Sequence, residues 1–152
     1  MIEVRHGGLE QPAVIALLQQ HFDSMLAHSP PGTCHFLDLS GLATPEVTFL
    51  TAWEGETLLG CGALKAIGAD HGEVKSMRTA DAALRRGVAA TLLAAIVDSA
   101  RAKGMARLSL ETGSGEPFAA AVALYLRHGF AWCEPFGEYE ATPFNRFMTR
   151  TI

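Results

Sequence analysis

The chain has 152 residues, 49% of them hydrophobic, and a formal net charge of −4. That length suits one domain over residues 1–152 with a full core, and the acidic balance excludes the concentrated basic face that nucleic acid requires. Cys34, Cys61 and Cys133 are too scattered for a disulfide framework or a metal site, Met1–His6 lacks the apolar core of a signal peptide, and no apolar run reaches the ~20 residues of a membrane helix, so a cytoplasmic protein is expected.

Ile2 to Arg5 reads as a first strand. From Pro12 to His28 the residues Val14, Leu17, Leu18, Phe22, Met25 and Leu26 recur at helical spacing, and Ser29-Pro30-Pro31-Gly32 ends the helix because proline cannot continue it. Cys34 to Pro45 reads as a loop with a short helical turn. Val47 to Trp53 is rich in strand formers; after the turn Glu54-Gly55-Glu56, Thr57 to Ile67 pairs back as a hairpin, and Glu73 to Thr79 adds a third antiparallel strand. Val88 to Lys103 is a helix stopped by Gly104, Ala106 to Glu111 a strand, and Pro117 to His128 a second apolar helix capped by Gly129. Phe130 to Cys133 and Arg146 to Thr151 are closing strands. The order predicts an α+β sandwich: a mixed, mostly antiparallel central sheet flanked by helices on both faces.

The stretch Glu73 to Ala95 carries the first functional signal. A strand leads through Leu84-Arg85-Arg86-Gly87 into a long apolar helix. The first turn of a helix leaves N–H groups unpaired, the macrodipole adds positive potential, and a glycine lets the backbone close on an anion. This points to a phosphate or pyrophosphate site, with a solvated basic turn before a core helix as the bland alternative. No Gly-Lys-Ser/Thr follows, so it is not a P-loop, and G-x-G-x-x-G is absent.

Three pieces, in order, resemble the GNAT superfamily of acyl-CoA-dependent N-acetyltransferases, and the tail Cys133 to Tyr139, ending in Phe147-Met148-Thr149, looks like a small branch of microbial acetyltransferases. Leu84-Arg85-Arg86-Gly87-Val88-Ala89 is similar to the family's Q/R-x-x-G-x-G/A phosphate loop. Ala121 to Phe130, with Leu124-Tyr125 and Gly129-Phe130, resembles its A-x-x-L-Y-x-x-x-G-F. Glu73, four residues before Met77, matches where several members carry a base and a backbone contact to the acyl group. The resemblance implies acetyl-CoA as cosubstrate, no metal, a small-molecule or peptide amine as acceptor, and by family habit a homodimer.

It also implies roles. An alkyl ammonium, with a pKa near ~10, must lose a proton before attack; Glu73 is the implied base, directly or through a water, against a surface carboxylate paired with Lys75 or Arg78. The Met77 N–H would stabilise the thioester oxygen as charge develops, and Met77, Arg78 and Thr79 would line pantetheine as a mock strand. Tyr125 would protonate the leaving thiolate, against a core tyrosine whose hydroxyl finds a partner at the helix end. Leu84 to Ala90 and Thr91 would surround the pyrophosphate, Thr91 by its hydroxyl or by packing alone.

Two positions depart from the pattern. Leu84 replaces the usual Gln or Arg, which leaves Arg85, Arg86 and the main-chain amides to hold the pyrophosphate. Phe118 stands where many members have Asn near pantetheine, and Thr112 or Ser114 would replace that hydrogen bond. The six histidines form no metal-binding pair; His71 reads as a solvated turn residue, against a role in assisting proton removal, and Cys61 as a small buried thiol rather than a nucleophile. Residues 29–38 and 134–145 are the expected acceptor walls, with Glu134, Glu138 and Glu140 beside Phe136 and Tyr139 either holding a cation or forming a solvated rim or dimer edge. A different class of reading is a non-catalytic CoA-binding or interaction module on the same fold, since fold alone does not establish chemistry. A third is a domain that binds another phosphate ligand at Gly87.

Overall fold

The computed structural model describes residues 1–152. Seven strands form one sheet in the order β1-β2-β3-β4-β5-β7-β6: β1 (Glu3–His6), β2 (Val47–Glu54), β3 (Thr57–Ala66), β4 (His71–Thr79), β5 (Arg107–Thr112), β6 (Ala131–Cys133) and β7 (Arg146–Thr151). The helices are α1 (Pro12–Ala27), the short α2 (Leu39–Leu42), α3 (Val88–Ala102) and α4 (Ala119–Arg127). All neighbours are antiparallel except β4 and β5. The expected mixed, mostly antiparallel sheet is therefore present, and no helix is long and apolar enough to cross a membrane.

Two apolar clusters fill the two faces. Leu92, Leu93, Ile96 and Val97 of α3 pack with Leu50, Leu64, Leu108, Leu110 and, from α4, Leu124 and Tyr125. Val14, Leu17, Leu18 and Phe22 of α1 pack with Phe49, Trp53, Cys61 and Ala63. Each helix contributes one apolar stripe, so the sheet is covered on both sides. Residues 116–118, expected as the start of a helix from Pro117, instead form a separate 3-10 turn after Gly115 (φ 101°), and α4 starts at Ala119.

Two local features open the sheet. The parallel pairing of β4 with β5 covers only His71↔Arg107, Gly72↔Leu108 and Glu73↔Ser109, so β4 lacks a neighbour on that side from Val74 to Thr79. On its other side the ladder passes from Cys61↔Arg78 to Ala63↔Lys75, leaving Ser76 and Met77 opposite the single Gly62. This is a β-bulge, which bends the strand and sharpens its twist. Ser76 takes φ 56°, left-handed and costly for a residue with a side chain. A Cβ on Gly62 would meet Met77 Sδ at 2.6 Å, so the glycine makes room for the bulged side chain.

Gly60 is more constrained, because its added Cβ would lie 2.7 Å from the Arg78 carbonyl oxygen and 2.9 Å from Val88 Cγ1. Backbone cannot swing aside as a flexible side chain can. Gly60→Ala is expected to lower stability by about 1–3 kcal/mol in urea unfolding; an unchanged midpoint would show that β3 and β4 separate freely there.

Candidate active site

A cavity of about 150 Å³ lies in the gap between β4 and β5. Glu73 to Met77 line it from β4, and Glu111 and Thr112 from β5, with Gly113 just beyond. Phe118, Ala121 and Tyr125 reach it from the α4 side, and His21, Met25 and His35 from α1 and the loop after it. It therefore joins the two faces of the sheet. Its volume is below the ~300–1,000 Å³ of drug-sized sites, so it suits the end of a molecule rather than a whole large ligand.

Glu73, weighed above as a surface carboxylate, is buried, and it pairs with Lys75 rather than Arg78. Its Oε2 accepts from Lys75 Nζ at 3.1 Å and from the Tyr139 hydroxyl at 2.5 Å, while its Oε1 takes no protein hydrogen bond. Lys75 uses its three donors on Glu73, on Tyr139 at 2.8 Å and on the His35 carbonyl at 2.9 Å. Burying such a pair is tolerated only when the remaining valences are met, as they are here. Burial and the Glu73 carboxylate hold the Tyr139 phenol above its ordinary range. In the sequence Lys75 figured only as a surface partner of Glu73 and Tyr139 only as an acceptor-wall residue; that the two meet across 64 positions was not legible.

A second carboxylate escaped the sequence reading altogether. Glu111 receives His35 Nδ1 at 2.8 Å on Oε2 and at 2.9 Å on Oε1, and Asn145 Nδ2 at 2.6 Å on Oε2. Counting His35 as neutral, the cavity groups Glu73, Lys75 and Glu111 leave one net negative charge. The three glutamates expected around the acceptor, Glu134, Glu138 and Glu140, are instead exposed and outside the cavity. Their exposure fits either alternative, a solvated rim or a dimer edge.

Tyr125 is buried in α4 with its ring edge-on to Phe130, 5.6 Å between centroids. Its hydroxyl has no protein partner, unlike the core tyrosine weighed above, and burial raises its pKa, which keeps it protonated. Phe118 is buried against Phe144 and lines the cavity. Thr112 lines the cavity too, whereas Ser114 does not: its hydroxyl donates to the Phe144 carbonyl at 2.7 Å and ties down the loop before β7. His71 is a correction. It is a half-buried β4 residue 2.7 Å from Ser109 Oγ, not a solvated turn residue, and it does not line the cavity. Cys61 is a buried thiol pushed up to about 12 by burial, hence inert.

The turn before α3 is exposed from Leu84 to Gly87. Arg85 (φ 65°) and Gly87 (φ 80°) are both left-handed, and Gly87 caps α3. The amides of Val88, Ala89 and Ala90 find no acceptor in the protein, which leaves a row of bare N–H groups, an arrangement suited to an anion. Leu84 is 56% exposed and brings no polar group. Arg85 is unpaired, whereas Arg86 is engaged by Glu54 at 2.8 Å in an exposed ion pair, the weak kind that a phosphate can displace. Thr91 gives its hydroxyl proton to the Gly87 carbonyl at 2.8 Å, so it reinforces the turn rather than donating outward.

A family model described as the acetyltransferase (GNAT) family matches residues 13–130. The chain belongs to that family. It is 49% identical to the uncharacterized N-acetyltransferase YedL of Escherichia coli (strain K12), over 100% of this chain and 96% of the relative. Among solved structures, a Klebsiella pneumoniae protein described as an acyl-CoA N-acyltransferase superposes with TM-score 0.84 at 27% identity, covering 99% of this chain and 97% of that one. The PaiA N-acetyltransferase of Thermoplasma acidophilum, solved in complex with coenzyme A, shares the fold at TM-score 0.75 and 15% identity, covering 100% and 99%. This GNAT protein is thus an N-acetyltransferase by family, fold and relatives.

One cavity residue gives a measurable signature. Burial, with a smaller effect of Arg78, lowers His21 from 6.5 to about 4. Its Nδ1 is buried without a partner. An imidazole depressed in the folded state binds fewer protons folded than unfolded between those values. Its stability contribution is complete above pH 6.5 and is lost as pH falls toward 4, by roughly 3 kcal/mol in all. Urea unfolding of His21→Leu between pH 4 and 7 is expected to show a flatter pH dependence by that amount; an unchanged slope would mean His21 is not buried neutral.

Proposed function

We propose that residues 1–152 form one acetyltransferase domain that moves the acetyl group of acetyl-CoA to a primary amine by direct attack. The observation that carries this reading is the unpaired edge of β4, flanking a cavity through the sheet and leading to a helix start with bare amides. An edge strand offers N–H and C=O groups to any extended chain with matching amides, and pantetheine is such a chain. Its pyrophosphate would rest on Arg85, Arg86, Gly87, Val88, Ala89 and Ala90, and its arm would run beside Met77, Arg78 and Thr79 past Phe118.

The acetyl group would then reach the cavity at the bulge. The Met77 amide would receive the thioester oxygen as charge builds on it, and a fixed donor does so without reorganising. The acceptor would enter from the side of α1 and the His35 loop, where the net negative charge favours an ammonium. Glu73 Oε1 is the open oxygen of the buried pair, and it would take the ammonium proton directly or through a water. The neutral amine attacks, the C–S bond breaks, Tyr125 would pass its proton to the thiolate, and the second proton of the attacking nitrogen would restore the phenol. The small cavity favours an unbranched amine end, on a small molecule or a peptide side chain.

Calorimetry with acetyl-CoA and CoA tests the cosubstrate. Wild type should bind both, and Gly87→Asp, which places a carboxylate before the bare amides, should lose at least ~10-fold in affinity, consistent with removing an anion contact. A panel of benzylamine, n-butylamine, lysine and spermidine with acetyl-CoA tests the reaction, and Glu73→Gln should cost ~10²-fold or more in turnover. CoA binding without turnover of any amine would favour the non-catalytic module. No CoA binding would remove the reading.

A further inference from the structure

Transfer of acetyl from a thioester to an ammonium releases one proton per turnover. One N–H proton leaves before attack, and a second ends on the thiol. On the reading above, the first lands on Glu73, whose side chain is only 4% exposed and lies 3.1 Å from the Lys75 ammonium. A protonated, neutral Glu73 would leave that buried ammonium without its counter-charge, so the proton cannot rest there. It needs a carrier to solvent.

We propose that His35, oriented by Glu111, is that carrier: a proton exit for the acceptor site. The inference rests on the transferase reading. Among the charged and imidazole groups lining the cavity, Glu73, Lys75 and Glu111 have side chains 4%, 8% and 12% exposed and His21 is buried, whereas His35 is 38% exposed. His35 is by far the most exposed of that set, lining the cavity with much of its ring in solvent.

Its tautomer is fixed by chemistry. An ionised carboxylate only accepts, so Nδ1, at 2.8 and 2.9 Å from the two Glu111 oxygens, carries the hydrogen. Nε2 then holds the lone pair, and it has no protein partner. Glu111 is itself held by Asn145 at 2.6 Å, and Asn145 is a buried residue fixed by the Thr142 hydroxyl at 2.6 Å and the Thr33 carbonyl at 3.1 Å. Lys75 pins the His35 main chain through its carbonyl. The ring lies 5.1 Å from that of Tyr139, whose hydroxyl sits on Glu73. A carboxylate that orients an imidazole and stabilises its protonated form is a recurrent way to make a base of histidine.

The proton balance closes. An ammonium N–H breaks and an O–H forms on Glu73. That proton passes through a water to His35 Nε2, giving an imidazolium paired with Glu111. Bulk water takes it from there. Charge thus moves from a place where it unbalances Lys75 to one where Glu111 matches it. Around His35 stand Glu111 from β5 on its ring, Lys75 from β4 on its carbonyl and Tyr139 beside the ring, with His21, Glu73 and Asn145 lining the same cavity.

Two measurements test this. Nitrogen-15 NMR of the histidine-labelled free protein should show neutral His35 protonated at Nδ1, with that preference lost in Glu111→Gln; the opposite tautomer in wild type would overturn the proposal. Kinetics follow with acetyl-CoA and whichever amine of the panel turns over fastest. His35→Ala should lower turnover about 10²-fold, with acetyl-CoA affinity unchanged by calorimetry, and tens of millimolar imidazole should restore part of the rate. Glu111 is a positioning residue, so His35→Ala/Glu111→Gln should be no slower than His35→Ala. Full rate in His35→Ala, or a loss that imidazole does not repair, would sink the carrier while leaving the transferase reading intact. No turnover by wild type on any amine would remove both.

Discussion

The early end of the parallel pairing between β4 and β5 is the constraint on which the cavity and the proposed site depend. Three residue pairs hold the two strands together, after which β5 keeps β7 as its partner and β4 keeps only β3. The bulge at Ser76 and Met77 bends β4 in the region where it parts from β5. A strand open in mid-sheet would ordinarily invite aggregation. Here its open edge faces a cavity lined from α1, the α4 side and two loops, and on the proposed reading a narrow, extended chain would pair with it. The strained backbone of Ser76 fits this picture, since such conformations persist where surrounding structure enforces them.

Polar contacts, more than apolar packing, fix the cavity walls. Tyr139 draws the segment between β6 and β7 onto Glu73, and Asn145 ties the same segment to Glu111 and to Thr33. Lys75 holds the loop after α1 through the His35 carbonyl. Hydrogen bonds to charged groups are stronger than neutral ones and lose much when one partner is removed. Two irregular loops thereby become well-defined walls, and the same charges that shape the cavity are those available to handle protons. The proposed phosphate end would be built differently. It would depend on backbone conformation at Arg85 and Gly87 and on unpaired amides rather than on a polar side chain at position 84.

The element order, the two-faced packing and the helix start at Gly87 were legible in the chain, because periodicity and turn chemistry act over a few residues. His71 was misread because only β5, 38 positions away, supplies the Ser109 hydroxyl that holds it. Thr91 and Ser114 are residue types that can donate in either direction. Their actual partners, the Gly87 and Phe144 carbonyls, follow from geometry alone. Arg86 read as a free phosphate ligand because Glu54 is distant in sequence, though it is adjacent in space.

By itself the sequence determined the fold class, the family through Gly87 and the Leu124-Tyr125 to Gly129-Phe130 segment, and the presence of an acid at Glu73. These rest on local spacing and on motifs that one stretch of chain can carry. Tertiary structure alone decided that Glu73 is buried against Lys75 and Tyr139, that Glu111, His35 and Asn145 form one cluster, and that Glu134, Glu138 and Glu140 stay in solvent. The members of that cluster lie 34 and 76 positions from Glu111. Which charges meet across such distances is set by strand register and loop closure, and neither is encoded in the spacing of the residues concerned.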